Sequence, residues 1–409
     1  MGLLRPKIKE YVTKEITHSA LTTQKCIIKY RARRYKCPCC GKTYYEFNPF
    51  VFKSQKISIL TVHNILKDLK DFNETFTSVA RRYHVSPTSV STIFDNHVDI
   101  GRNPLPEIIN FDEVYAFKSE KSKYVCVLLD FKKQIPVDVL PNRKKEYLLN
   151  YFQKIPLEER KKVKYACSDM YEVYRDVVHK VFPSCCMLLD YFHLSQDFHR
   201  KMNEVRIKVM KGYKDNKASD EYYLLKKFNW LLFKNPEDED KYGRLFDVER
   251  ERKYNSHFKS YMNYYDLRKK LLEINNDLTI CYSLKLELVD FYSKSTIDNA
   301  KVNLENLIRS CIDTNIDEMI AFSNNLINWK QEIINSFTIV GTEYKVEADK
   351  GQVVVCNKKV NNAIIENRNK IIKCIKNNTN GYTNWSRLCN RVMYVLDPNA
   401  TFSLEPREK

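Results

Sequence analysis

Glu107-Ile108-Ile109-Asn110-Phe111-Asp112 is an apolar run closed by a carboxylate, and Val163-Lys164-Tyr165-Ala166-Cys167-Ser168-Asp169 repeats the pattern. Short apolar runs bounded by polar residues read as buried strands. Two more runs lie between them, Tyr124–Leu129 and Ile135–Leu140, with turns at Lys133-Gln134 and near Ser119–Ser122. That spacing predicts a meander of three antiparallel strands. A helix is predicted over about 144–154, where Tyr147, Leu148, Tyr151 and Phe152 share a face. After the strand that ends at Asp169 comes a helix with Tyr171, Tyr174, Val177, Val178 and Val181 on one side. A last apolar run, Cys185–Leu189, closes at Asp190.

The order βββαβαβ is that of an RNase H-like mixed α/β sheet, assigned here to residues 104–193 as the first part of a catalytic core. Residues 194–345 are rich in Lys, Leu, Tyr and Asn, with helical periodicity and little Pro or Gly, and read as a large all-helical insertion. Residues 346–409 return to the core, with helices predicted over about 360–377 and 384–395. Glu366 lies on the first of these. It shares a polar face with Asn362, Asn369, Lys370 and Lys373, while Ile364, Ile365, Ile371, Ile372 and Ile375 supply the buried side.

Asp112, Asp169 and Glu366 are therefore the candidate catalytic acids. Two carboxylates at the ends of buried strands, side by side if those strands are neighbours, and a third on a helix can hold a pair of Mg²⁺ or Mn²⁺ ions, which activate an attacking oxygen and stabilise the leaving oxygen of a phosphodiester. Asp112 and Asp169 would each bind metal, one bridging both ions, with Glu366 on the second. Arg368, Lys370 and Lys373 are placed for phosphate contacts. Asp190 and His193, three apart at a strand end, are supporting candidates, although a histidine at such a junction is commonly structural. The plain alternative for the trio is a pair of turn aspartates and a Glu366–Lys370 surface pair.

The charge agrees with a polyanionic partner. The excess is 69 − 51 = +18, and residues 1–100 hold 17 Lys+Arg against 8 Asp+Glu, or +9. Residues 1–52 read as a basic, zinc-ribbon-like module of short strands. Within it, Cys37-Pro38-Cys39-Cys40-Gly41-Lys42 gives Cys37 and Cys40 the C-x₂-C spacing of a zinc knuckle. A closed Zn²⁺ site needs four ligands, and only Cys26, Cys39, His18 and His63 lie near in sequence. A cysteine-containing turn that binds no metal is the alternative. Arg33 and Arg34 precede the knuckle as DNA-binding candidates.

Residues 53–103 carry a helix-turn-helix pattern. Thr77-Ser78-Val79-Ala80 opens one helix, His84-Val85-Ser86 turns, and Ser86 caps a second helix over Pro87. Thr88, Ser89 and Thr92 would face a DNA groove, with Arg81 and Arg82 on phosphates. An αα-hairpin without DNA is the bland reading. Thirteen cysteines without framework spacing suit a reducing compartment, and no apolar run approaches the length of a membrane span. The cytoplasm is the expected location.

Several segments together resemble the DDE transposases of bacterial insertion sequences, in particular the ISL-three family. They are Tyr30-Arg31-Ala32-Arg33-Arg34-Tyr35-Lys36-Cys37-Pro38-Cys39-Cys40 with Thr43-Tyr44-Tyr45-Glu46, the helix-turn-helix, Asn110-Phe111-Asp112-Glu113 and Val137-Asp138-Val139-Leu140-Pro141-Asn142-Arg143. Next come Cys167-Ser168-Asp169, Asp190-Tyr191-Phe192-His193-Leu194, and Asn362-Ala363-Ile364-Ile365-Glu366-Asn367-Arg368-Asn369-Lys370, with Gly381-Tyr382, Asn384 and Arg391. The resemblance implies Asp112, Asp169 and Glu366 as catalytic acids, a helical insertion between the second and third, and a homodimer assembled on double-stranded transposon ends. The expected activity is binding of terminal inverted repeats, Mg²⁺-dependent hydrolysis that frees a 3′-OH, and transfer of that hydroxyl to target DNA. One departure stands out: the family opens with an earlier C-x₂-C, whereas residues 1–25 hold no cysteine. A shortened N-terminus, or a zinc site lost or built differently, would account for it. The competing expectation is a decayed, non-catalytic DNA-binding protein. A nuclease or RNA-processing enzyme on the same sheet is a third class.

Overall fold

The computed structural model describes residues 7–19, 24–52, 55–117, 122–346, 353–379 and 382–407, with backbone alone for 343–346 and 353–356. Ser119 of the predicted turn and Gly381 lie outside the described residues. The chain divides into two compact units: residues 1–164, 180–184 and 363–409 form one, and residues 165–179 and 185–362 the other.

The first unit opens with an antiparallel sheet of β1 (Lys7–Thr17), β2 (Ile27–Lys36) and β3 (Thr43–Tyr45). Three helices follow, α1 (Ile59–Asp68), α2 (Phe76–Arg82) and α3 (Pro87–His97). Thr75 and Ser78 form a capping box on α2, and Ser86 accepts from the Ser89 N–H with Pro87 in the first helical turn of α3. His84 turns the chain between them at φ 54°. The helix pair forms where the sequence places it.

The central sheet is mixed and five-stranded, built from β4 (Ile108–Val114), β5 (Val125–Asp130), β6 (Pro136–Leu140), β7 (Tyr165–Ser168) and β8 (Cys186–Leu189) in the order β6-β5-β4-β7-β8. The first three make the expected antiparallel meander, and β7 and β8 run parallel. All six residues of β5 are buried, as a strand covered on both faces requires. The β5–β6 turn is pinned by Asp130, whose carboxylate accepts from the Lys132 and Lys133 N–H groups, with Gln134 at φ 60°. Helices α4 (Lys145–Gln153) and α6 (Glu172–Val181) fall where predicted; a short helix α5 (Leu157–Arg160) that the sequence reading did not include lies between α4 and β7, and α7 (Tyr191–Lys211) follows β8.

The insertion departs from expectation. Its helices α8 (Asp220–Lys227), α9 (Tyr264–Glu273), α10 (Asn276–Lys294), α11 (Ala300–Asp313), α12 (Asp317–Asn328) and α13 (Lys330–Asn335) share one apolar core. It is not all-helical, however. Two short hairpins, β9–β10 (Glu239–Asp240 with Gly243–Arg244) and β11–β12 (Lys253–Asn255 with Ser260–Met262), interrupt it. Gly243, at φ 98°, closes the first turn in a conformation that disfavours side chains. A longer hairpin, β13–β14 (Ile339–Val346 with Val353–Lys359), precedes the last two helices, α14 (Ala363–Asn378) and α15 (Trp385–Leu396).

Helix α15 serves two cores of the first unit. Leu388, Val392, Met393 and Leu396 pack with β5 and α14, while Tyr394 joins the core of α1–α3. The chain beyond it ties back to α3: the buried ring of His97 contacts the Ser403 carbonyl through Nδ1 at 2.8 Å. Burial holds the His97 pKa below its ordinary value. The fold therefore keeps a neutral imidazole that the unfolded chain would protonate, so this contribution is present above about pH 6.5 and is lost as pH falls below it. Stability read from urea midpoints is expected to fall as pH drops from about 7.5 to about 5.5, and His97→Phe should flatten that slope.

Candidate active site

In the first unit, Asp112 sits inside β4, two residues before its end, rather than at the strand terminus. It is only 8% exposed. Its Oδ1 accepts from the Glu113 N–H at 2.7 Å, and its Oδ2 accepts from Asn369 Nδ2, also at 2.7 Å. That second bond docks the helix carrying Glu366 onto the strand carrying Asp112. Glu366 lies three residues before Asn369, in the first turn of α14 and on the same helix face, and is half-buried. Ile365, Ile372 and Ile375 anchor α14 in the core, and Asn369 is buried beside them. Among the described residues, the Asn369 amide oxygen accepts no hydrogen bond. A buried carbonyl oxygen beside a carboxylate suits a hydrated divalent cation. Next to Asp112, Glu113 is ion-paired with Arg143, whose guanidinium lies 4.5 Å from the Tyr124 ring centre.

In the second unit, Asp169 directly follows β7 and is half-buried. Ser168 pairs with Leu189 in the parallel ladder, and the Asp190 N–H donates to the Ser168 carbonyl at 3.1 Å. Asp169 and Asp190 thus leave the sheet side by side, at the C-terminal ends of adjacent parallel strands, where ligand sites of such sheets form. Asp190 is 3% exposed, and His193, one turn into α7, places Nε2 3.8 Å from its Oδ2. Tyr191 stacks on Tyr292 at 3.7 Å. Burial, with the negative Asp190 nearby, pushes the Tyr292 hydroxyl well above its ordinary pKa. Oxygen-rich donors with one imidazole fit Mg²⁺ or Mn²⁺ better than softer metals.

The remaining candidates fall elsewhere. Thr88 and Thr92 are exposed on α3 and Arg81 is exposed on α2, while Ser89 bonds the capping Ser86. Arg82 is drawn into ion pairs with Asp68 and Glu74, so it is already neutralised within the helical module. Arg33 lies 3.6 Å from Glu46, and Arg34 pairs with Glu10 at 2.8 Å. Arg368 donates to the Gln134 carbonyl, and Lys370 and Lys373 are exposed. Cys37 and Cys40 lie on a tight turn in which the Gly41 N–H donates to the Cys37 carbonyl at φ 69° for Gly41. The N–H groups of Cys40 and Cys39 hold the Cys37 thiol below its ordinary pKa. His18 contacts Ser58 and His63 packs against Phe402. Among the described residues, no set of three His, Cys, Asp or Glu ligands gathers at this turn, whereas a closed zinc site needs four.

A family model described as a transposase, that of the ISL-three DDE group, matches residues 109–348. The chain belongs to this transposase family. Asp112, Asp169, Asp190 and His193 lie within the matched span, and Glu366 lies beyond it. A search of curated proteins gave no match to the transposase. No helix among its described residues is long and apolar enough to cross a membrane. Sequence reading placed Asn369 on the Glu366 face but did not identify it as the partner of Asp112. The available signal was an amide three residues from the acid on an otherwise charged face.

Proposed function

We propose that this transposase binds double-stranded DNA at the terminal inverted repeats of its element and cleaves a phosphodiester with divalent metal ions. The freed 3′-OH is then directed onto target DNA. Asp112, Asp169 and Glu366 are the metal ligands, with Asp190 and His193 in support. Bound Mg²⁺ or Mn²⁺ supplies the electrophile and the activated oxygen. The chain contributes rigid placement: Asn369 orients the Asp112 carboxylate, and the parallel ladder fixes Asp169 beside Asp190. Exposed Arg81, Thr88 and Thr92 approach the duplex from α2 and α3, and Lys370 and Lys373 approach the backbone near the site. Two copies act together on paired ends. The observation that carries this reading is the Asn369–Asp112 bond, which sets the Glu366 helix against the Asp112 strand in a chain of this family.

The test is Mg²⁺-dependent cleavage of a duplex carrying the terminal repeat. Asp169→Ala and Glu366→Ala are each expected to lower the rate about 1000-fold or more while keeping DNA affinity. Full cleavage by either variant would remove that residue from the proposal.

A further inference from the structure

Beside α3, within the first unit, lies a cleft of about 560 Å³ whose second wall is made by the last turn of α14 and the start of α15. Thr77, Thr88 and Ser91 line one side, and Asn378, Thr383 and Asn384 the other. Its floor is aromatic, with Phe76 and Tyr382 edge to face at 6.3 Å. The walls are locked together: Arg387 at the start of α15 grips Asp95 of α3 through three bonds, at 2.9, 3.2 and 2.6 Å. Among the described residues, no acidic side chain lines the cleft, and the one cation that does, Arg387, is already paired.

Resting on the DNA-binding reading of α3, we propose that this cleft seats one sugar–phosphate strand of the terminal-repeat duplex. In that case Asn378 and Thr383 are DNA contacts that work jointly with Thr88. Hydroxyl and amide groups form most uncharged contacts to DNA phosphates, and an apolar floor suits the sugar face. A duplex laid on the first turn of α3 meets the facing wall, because Thr88 lines the same cleft as Thr383. The arrangement carries a second consequence. Helix α14 bears Glu366 in its first turn and Asn378 at its end, 378 − 366 = 12 residues apart. At 1.5 Å per residue that is about 18 Å, or about five base pairs at 3.4 Å each. A single rigid helix thus measures the distance from the gripped strand to the cleaved bond.

The experiment uses the full chain and a labelled duplex carrying the terminal inverted repeat. Asn378 and Thr383 are exposed, so Asn378→Glu and Thr383→Glu should melt as the parent does. Each is expected to weaken binding roughly 10- to 100-fold through carboxylate–phosphate repulsion. Thr383→Ser should bind as the parent. Hydroxyl-radical protection should be lost at one backbone patch about five base pairs from the cleavage site. Parental affinity and footprint in both glutamate variants, alongside weakened binding by Thr88→Glu, would overturn the inference and leave the proposed function standing. A parent chain that does not bind the duplex would overturn both.

Discussion

Asp112→Asn is expected to lower strand cleavage by about three orders of magnitude or more, with DNA binding retained. The substitution keeps the shape of the side chain and removes its charge. Oδ2 would become an amide or a neutral carbonyl facing Asn369 Nδ2, at the position where a cation needs a carboxylate. Asn369→Ala takes away only the orienting donor, so a smaller loss, about 10- to 100-fold, is expected. The two effects should be strongly non-additive, because both act through one carboxylate. Rates with Mg²⁺ and Mn²⁺, measured alongside DNA affinity, separate the cases. If Asn369→Ala cleaves at the parental rate, the helix–strand bond is not what positions Asp112.

Arg391→Leu is expected to destabilise the first unit by about 3 kcal/mol. Arg391 is 1% exposed on α15, and its guanidinium donates to the Asp71 and Glu74 carbonyls at 2.9 and 2.8 Å. Leucine fills part of the space but removes both charge-assisted bonds. The Asp71 carbonyl keeps the Glu74 N–H, whereas the Glu74 carbonyl loses its guanidinium donor, and at about 1.5–3 kcal/mol per bond to a charged donor the total is about 3 kcal/mol. Neighbouring contacts share the load: Tyr394 donates to the Leu66 carbonyl, and Lys70 reaches the Asp397 and Ala400 carbonyls. The expected fall in Tm is about 6–12 °C. Arg391→Lys keeps the charge but not the fork, so it should fall between the two. An unchanged Tm would mean that α15 is held by its apolar face alone.

Much of the central sheet was legible because its strands are nearly continuous apolar runs. Ile108–Phe111 and Val163–Ser168 announce burial on both faces, and the acids that close them lie at or near the strand ends. The helix pair was legible for a different reason: Ser86 and Pro87 are chemical signals of a helix start that require no tertiary context. The hairpins at 239–262 were not legible, because their strands are two or three residues long and mostly exposed, too short to show alternation. The β13–β14 hairpin did carry a signal, Val353-Val354-Val355, within a segment read only as core. Partnerships across long sequence distances were beyond reach. Nothing local ties Asn369 to Asp112, 257 residues away, or tells Arg82 that Glu74 will neutralise it.

The account stands on Asp112, Asp169 and Glu366 converging on one pair of cations. Anomalous scattering from Mn²⁺, in crystals of the transposase with its terminal-repeat duplex, tests this most directly. Two peaks about 3.5–4 Å apart, touched by all three carboxylates, are predicted. Peaks held by Asp112 and Asp169 with the Glu366 carboxylate turned away from both ions, or no peak at Asp112 at all, would contradict it.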